Sequence, residues 1–406
     1  MEQLHQVVAD KMLYPEIKEI QGRGKQPSYK VLDTYKNLEW LLSHFDASIK
    51  FNLMTRRREV SFPEYYVFPE DLENDALARI DYLSTINEMN SRKIDQHLDT
   101  IANENAYHPI VESIKSKPWD GKERVNKFVQ SLKTTNDEFA HHIIKTWMVA
   151  CIAAAHSKTG FTNQGVLVLQ GKQGIGKTHW VKNLDPINCG AVREGGLLEP
   201  GNKDSVISLS RHWIVELGEL DATLRKSDIA RLKSFITSSV DIVRTPYARR
   251  EIQLVRRTTY IATVNEGKFL SDETGNRRWW TLEVKKIKID PELDMQQVWA
   301  EIYYLWQEGM VPYLDSSTQE LINEFNIDHQ KVDPIEELLL TFYDWTNPHR
   351  KLMTATDILK EMGFKNPTRA EATKMGSLLT QINDFKGKRS NGVTKHEVPV
   401  YRNFQK

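Results

Sequence analysis

The spacing of apolar positions changes character along this chain. Positions 35–45 carry apolar residues at helical spacing. Positions 49–62 instead alternate, with Arg56, Arg57 and Arg58 in the middle, which predicts a short hairpin with a basic, solvated turn. Positions 70–106 read as polar helix. After Pro109 a tight turn at Trp119, Asp120 and Gly121 precedes two apolar-periodic helices, at about 123–132 and 136–157.

From Gly165 to Glu283 short apolar runs alternate with helical stretches. Val166–Leu169, Trp213–Val215 and Tyr260–Val264 predict strands of a largely parallel sheet, so this part is expected to be an α/β domain. Residues 291–330 return to helix. Beyond Pro334, helices are expected at Thr354–Met362, stopped by Gly363, and at Arg369–Ile382. A basic stretch, Lys386–Lys395, then lies between the two ends of a hairpin, Phe385 and Val398–Tyr401. Two helices followed by a basic hairpin predict a winged helix. The expected organisation is an accessory domain at 1–107, a helical collar at 108–160, a core at 161–330 and the winged helix at 334–406.

One motif carries specific chemistry. Gly171, Gly174, Gly176, Lys177 and Thr178 occupy every required position of GxxxxGK[ST], with Ile175 between the last two glycines. A strand leads in and a helix leads out, the context in which backbone N–H groups and a helix N-terminus wrap phosphates. Lys177 is then expected to reach the β- and γ-phosphates of ATP, and Thr178 to place its hydroxyl on Mg²⁺. The strand run at 213–215 ends at Glu216, with Glu219 three residues on. Glu216 is expected in the Mg²⁺ shell and Glu219 beside the attacking water, with the two roles open to exchange. Asn265 ends the third strand run, where an amide can sense the γ-phosphate. Arg277 and Arg278 follow a Gly–Asn turn and precede Trp279 and Trp280, a setting for an arginine that acts on a neighbouring subunit.

Charge changes the picture. The 406 residues hold 55 Lys+Arg and 55 Asp+Glu, a net charge of zero, so contact with nucleic acid must come from local basic clusters. Positions 241–260 read as a hairpin carrying Arg244, Tyr247, Arg249, Arg250, Arg256 and Arg257. Its arginines can neutralise phosphates and Tyr247 can stack on a base; the alternative is a subunit interface, and Lys233 is open to the same two uses. Lys388 and Arg389 suit a basic wing on duplex DNA or a solvated loop. With 40% apolar and 27% charged residues the chain suits a folded protein with cores. The longest apolar run, Trp147–Ala155, is too short to span a membrane, and the N-terminus lacks a signal-peptide pattern. Two distant cysteines, Cys151 and Cys189, exclude a disulfide scaffold and fit a cytoplasmic location.

The stretches 108–125, 166–178, 213–237, 240–250, 263–280 and 298–309 together resemble the virulence-associated E family of phage and mobile-element proteins. That resemblance implies an AAA+-like P-loop core close to superfamily 3 primase–helicases. It implies an ATP- and Mg²⁺-dependent DNA helicase that assembles as a ring, a hexamer by expectation, on single-stranded or forked DNA. A non-unwinding initiator or loader, or a regulatory switch in host–phage conflict, is the alternative. By position Lys177 and Thr178 match the family's phosphate loop, Glu216 and Glu219 its acidic motif, Asn265 its sensor, and Arg277 and Arg278 its paired arginines. A primase, where one is needed, is expected as a separate partner beside other replication proteins. Only about 100 residues precede the core here, with no zinc-binding cysteines and no evident paired-carboxylate centre.

Overall fold

The computed structural model describes residues 13–20, 28–63, 72–89, 92–197, 199, 201–218, 232, 234–243, 251–265, 267–270, 276–290, 292–330, 334–382, 388–390 and 393–399. It is a mixed α/β chain in two units, Met1–His329 and Gln330–Lys406.

The first unit begins with an antiparallel pair, β1 (Ile17–Ile20) and β2 (Ser28–Val31). Helix α1 (Tyr35–Ser43) follows, capped by the Thr34 hydroxyl, which accepts from the Asn37 N–H. Its apolar residues Leu38, Leu41 and Leu42 fall on one buried face. The expected hairpin is β3 (Ser48–Asn52) and β4 (Arg57–Ser61). Helices α2 (Leu72–Ile86) and α3 (Ile94–Glu104) lead to β5 (Ala106–Tyr107), which runs parallel to β3.

The basic turn of that hairpin is not a solvated charge run. Arg56 sits at φ 57° and donates to the Val255 carbonyl at 2.7 Å and the Ser210 carbonyl at 3.4 Å. Burial pushes its pKa down to about 10. Arg58 donates to Asp99 at 2.8 Å and to Asp95 at 3.0 Å. Arginine carries five donors on a rigid fork, so it gains more from fixed acceptors on neighbouring elements than from water at a turn. Arg57 alone stays exposed.

The core follows: α4 (Pro109–Ser116), α5 (Val125–Gln130), β6 (Leu132–Thr134), α6 (Asp137–His156), β7 (Val166–Gln170), α7 (Lys177–Lys182), β8 (Val192–Gly196), α8 (Lys203–Leu209) and β9 (Ile214–Leu217). Then come the hairpin β10 (Val240–Val243) and β11 (Ile252–Val255), strands β12 (Thr259–Val264) and β13 (Trp279–Ile287), and helices α9 (Met295–Gln307) and α10 (Ser316–Asp328). Six strands form one sheet in the order β6-β13-β7-β12-β9-β8. All are parallel to their neighbours except β6, which pairs antiparallel with β13.

Both faces of the sheet are covered, which is why β7 reads as an unbroken apolar run. Its side chains still divide by period two. Leu167 and Leu169 join the core made with α5, α6, α7 and α9, while Val166 and Val168 join the opposite one with Val206, Leu209 and Ile236. Buried tryptophans find carbonyl acceptors across this packing. Trp147 donates to Tyr260, Trp213 to Cys151 and Trp299 to Leu184, at 2.8–2.9 Å.

Two details differ from the sequence expectation. Strand β9 runs on through Glu216 to Leu217, so the carboxylate lies within the strand and not after it. Pairing with β12 on one side and β8 on the other, where Ile261 and Val215 oppose Glu216 and Arg193, extends the ladder that far. The hairpin β10–β11 forms, but Arg256 and Arg257 beside it are not free for phosphates. Arg256 is 2% exposed, donates to both carboxylate oxygens of Asp241 and stacks 3.7 Å over the Phe235 ring. Arg257 donates to the Ser157 carbonyl at 3.0 Å. Charge desolvated at the root of a hairpin needs a partner: Arg256 has the Asp241 carboxylate, and Arg257 a backbone carbonyl. Arg244, Tyr247, Arg249 and Arg250 lie outside the described residues, as do Lys233 and Glu219.

The second unit has α11 (Pro334–Phe342), β14 (Arg350–Thr354), α12 (Ala355–Glu361), α13 (Arg369–Ile382), β15 (Lys388–Ser390) and β16 (Val393–Pro399). The strands form an antiparallel sheet in the order β14-β16-β15. Leu339, Ile358, Leu359, Leu379 and Val398 make its core. Gly363, at φ 98°, supplies the left-handed residue just past α12. Lys388 and Arg389 lie in β15, opposite Lys395 and Thr394, so the basic positions form the ladder itself. No described helix is long and apolar enough to cross a membrane.

Candidate functional site

The carboxyl ends of β7, β9 and β12 open on a cleft of about 780 Å³. The crevice beyond the carboxyl ends of parallel strands is where open α/β sheets take ligands. Here β7 delivers the loop 171–176 and then the first turn of α7. The loop leaves the strand with the Gly171 N–H bonded to the Val264 carbonyl at 3.0 Å. A Cβ on Gly171 would collide with the Val284 carbonyl of β13, so only glycine fits there. Gly174 and Gly176 stand at φ 81° and 96°, and Cβ atoms there would meet nothing within 4 Å. At these two positions the backbone turns through left-handed conformations and borders an open space.

Lys177 is 7% exposed. Its ammonium donates to the carbonyls of Gly171 at 2.7 Å and Lys172 at 2.9 Å, and to Asn265 Oδ1 at 2.9 Å. Burial lowers its pKa, and the Glu216 charge opposes that shift. Asn265 follows β12 and is exposed to the cleft.

Glu216 is 1% exposed and its carboxylate is fully engaged. Oε1 accepts from the hydroxyls of Thr178 and Thr263, both at 2.8 Å. Oε2 accepts from the Gly195 N–H at 3.3 Å, where a register shift in β8 turns that amide inward. The residues expected at one site, Lys177, Thr178, Glu216 and Asn265, are thus brought to one cleft. Thr263 and Gly195 escaped the sequence reading. A hydroxyl inside the apolar run 260–264 was the available signal for Thr263; nothing in the sequence marks the Gly195 amide, because it acts through a shift in strand register.

Arg277 and Arg278 lie elsewhere. They form a 3₁₀ turn, Asn276–Arg278, ahead of β13. In the parallel register Trp279 opposes Val166 and Glu283 opposes Gln170, so the turn stands beside the start of β7 while the loop follows its end. At about 3.3 Å per residue the two lie roughly 15 Å apart along the sheet. Buried Asn326 of α10 holds the turn: its amide donates to the carbonyls of Asn276 at 2.9 Å and Trp279 at 2.8 Å, and its oxygen accepts from Thr281 at 2.6 Å. Both arginines line a separate cavity of about 170 Å³ with Gln164, Thr237, Trp280 and Gln319.

Comparisons with known proteins add the family. No curated protein matches the chain. Among solved structures it is similar to the apo structure of the NrS-1 C-terminal region (305-718), at 15% identity and a TM-score of 0.46 over 89% of this chain and 98% of that one. Two A-form apo structures of the same region, at 15% and 14% identity, give TM-scores of 0.45 with the same coverage. The model of the virulence-associated protein E-like domain matches residues 114–331. That span is more than half of the sequence and holds the loop, Glu216, Asn265 and the arginine pair, so the chain belongs to the virulence-associated protein E-like domain family.

Proposed function

We propose that this protein is an ATP-hydrolysing, ring-forming DNA helicase acting in the replication of a phage or mobile genetic element. The observation that carries the reading is the meeting of Lys177, Thr178, Glu216 and Asn265 at one cleft fed by a glycine-rich loop. In this reading the six-stranded sheet is an AAA+-type P-loop core. Loop amides and Lys177 take the phosphates of ATP, trading the present carbonyl acceptors of Lys177 for phosphate oxygens. The Thr178 hydroxyl and the Glu216 carboxylate, already 2.8 Å apart, are a donor set that suits Mg²⁺. That ion, when bound, neutralises charge on the β- and γ-phosphate oxygens. Asn265 and Glu219 position the attacking water.

The placement of Arg277 and Arg278 supports a ring. They stand at the far end of the sheet from their own loop, so they serve a phosphate of a neighbouring copy, and a hexamer is the closed assembly proposed. Arg244, Tyr247, Arg249 and Arg250, together with Lys233, are read as the contacts to single-stranded DNA. The second unit, helices with a three-stranded antiparallel sheet, is read as a winged helix with Lys388 and Arg389 toward duplex DNA. Partners in this reading are single-stranded or forked DNA, further copies of the chain, and a separate primase or other replication proteins.

The test is ATP-driven strand displacement on forked DNA, with ATP turnover measured with and without single strands. Displacement with DNA-stimulated turnover is expected. Stimulated turnover without displacement makes the protein a loader, and turnover indifferent to DNA makes it a switch. Mixing Lys177→Ala with Arg277→Ala or Arg278→Ala chains should restore hydrolysis across mixed interfaces. No rescue in confirmed mixed rings removes the role across subunits.

A further inference from the structure

A second cavity, of about 450 Å³, lies where the N-terminal β3–β4 hairpin meets the turn before β9. Thr55, Arg57, Glu59, Arg211 and His212 are among the residues that line it. Arg56 fixes this junction, since its guanidinium reaches from the hairpin turn to the Ser210 and Val255 carbonyls. The cavity therefore sits at the amino end of β9, whereas Glu216 on the same strand serves the cleft at the other side.

Its polar groups are not balanced internally. Thr55 Oγ1 and Arg211 Nε are closed to solvent and, among the described residues, without a hydrogen-bond partner. Among the described residues neither Arg57 nor Arg211 pairs with a carboxylate. Glu59 and Glu73 also line the cavity, each held by other groups. Glu59 accepts from Asn52 at 2.8 Å and from the Tyr107 hydroxyl, and Glu73 at the rim faces Arg58 at 4.0 Å. Arg58 is spent on Asp95 and Asp99. Two guanidiniums without a carboxylate partner among the described residues thus share a concave site; burial and then the Arg57 charge lower the pKa of Arg211.

We infer that this cavity binds a phosphoryl group, held by Arg57 and Arg211. A phosphate offers three acceptor oxygens and bidentate geometry to guanidinium, which suits two arginines that no carboxylate pairs. The group can come from the backbone of a nucleic-acid strand or from a free small phosphate. The inference does not rest on the nucleotide reading of the main cleft.

The experiment uses the 406-residue chain with Arg57→Gln and Arg211→Gln together, and thermal unfolding confirms that the fold is kept. Affinity for a labelled oligo-dT is measured by anisotropy across a salt series. Orthophosphate binding is measured by phosphorus NMR with Lys177→Ala also present, so that the loop does not contribute. For a strand, affinity falls about 10-fold at low salt and the slope of log affinity against log salt flattens by about 1.4, some 0.7 for each lost contact. The pair Arg57→Lys and Arg211→Lys then keeps most of the slope. Loss of orthophosphate binding with unchanged DNA affinity assigns the cavity to a small phosphate. Unchanged binding of both ligands overturns the inference.

Discussion

The ammonium of Lys177 and the side-chain oxygen of Asn265 lie 2.9 Å apart, although 88 residues separate them in sequence. In the proposed function Lys177 leaves this amide for a phosphate, so Asn265 would report on an occupied loop. Lys177→Ala is expected to reduce ATP turnover by about 10²–10³-fold, the usual effect of removing one preorganised charge donor. Asn265→Ala is expected to lower turnover while nucleotide binding stays within a few fold. Steady-state hydrolysis and equilibrium titration with a fluorescent nucleotide separate the two. Near-normal turnover in folded Lys177→Ala would remove the ATPase assignment.

Glu216 joins three elements through one buried carboxylate. Glu216→Ala leaves the Thr178 and Thr263 hydroxyls and the Gly195 N–H without their acceptor, a cost of about 1–3 kcal/mol for a group that stays buried and unpaired. Denaturant unfolding should show that loss. Glu216→Gln keeps one acceptor oxygen and should hold the fold, yet abolish the magnesium dependence of nucleotide binding. Unaltered magnesium dependence in Glu216→Gln would place the ion elsewhere.

Neighbouring arginines should behave very differently on truncation. Arg256 is buried, paired with Asp241 and stacked on Phe235, so Arg256→Ala should destabilise the protein by about 3–5 kcal/mol, the range for breaking a buried ion pair. Arg257 makes one hydrogen bond, to the Ser157 carbonyl, and Arg257→Ala should cost about 0.5–1.5 kcal/mol. Urea midpoints for the two variants test this contrast, and equal losses would show that the pair on Asp241 adds little.

His108 gives the protein a pH dependence of known sign. It is 4% exposed, neither ring nitrogen has a hydrogen-bond partner among the described residues, and burial pushes its pKa down to about 3. The unfolded chain takes up a proton below about pH 6.5 that the folded chain refuses. Its contribution to stability is therefore complete above pH 6.5 and is lost as pH falls toward 3, by up to about 1.4 kcal/mol per unit. His108→Phe should flatten the stability curve between pH 6 and 4 relative to the parent. Parallel curves would mean that the imidazole is protonated in the fold.

Local signals were legible wherever chemistry or periodicity is carried by residues close in sequence. The loop from Gly171 to Thr178 is one strand–helix junction, and its glycines are required by backbone geometry alone. Helix α13, expected at Arg369–Ile382, has those bounds, and Gly363 stands past α12 where it was expected. Strand β14 went unread, because its alternation in Arg350–Thr354 is short and becomes meaningful only against β16.

By itself the sequence determined the glycine-rich loop, the alternation of strands and helices around it, and the candidate acids and amide in their order along the chain. Tertiary structure decided which charges are tied up within the fold and which are not. Arg56 and Arg256 look as available as Arg57 in the sequence, but distant carbonyls and Asp241 claim the first two and nothing described claims the third. It also decided that Glu216 meets Thr263 and Gly195, and that Arg277 and Arg278 stand at the opposite end of the sheet from Lys177. The reason is physical. Strand order and register bring together residues far apart in sequence, and desolvation then makes the pairing of each polar group obligatory.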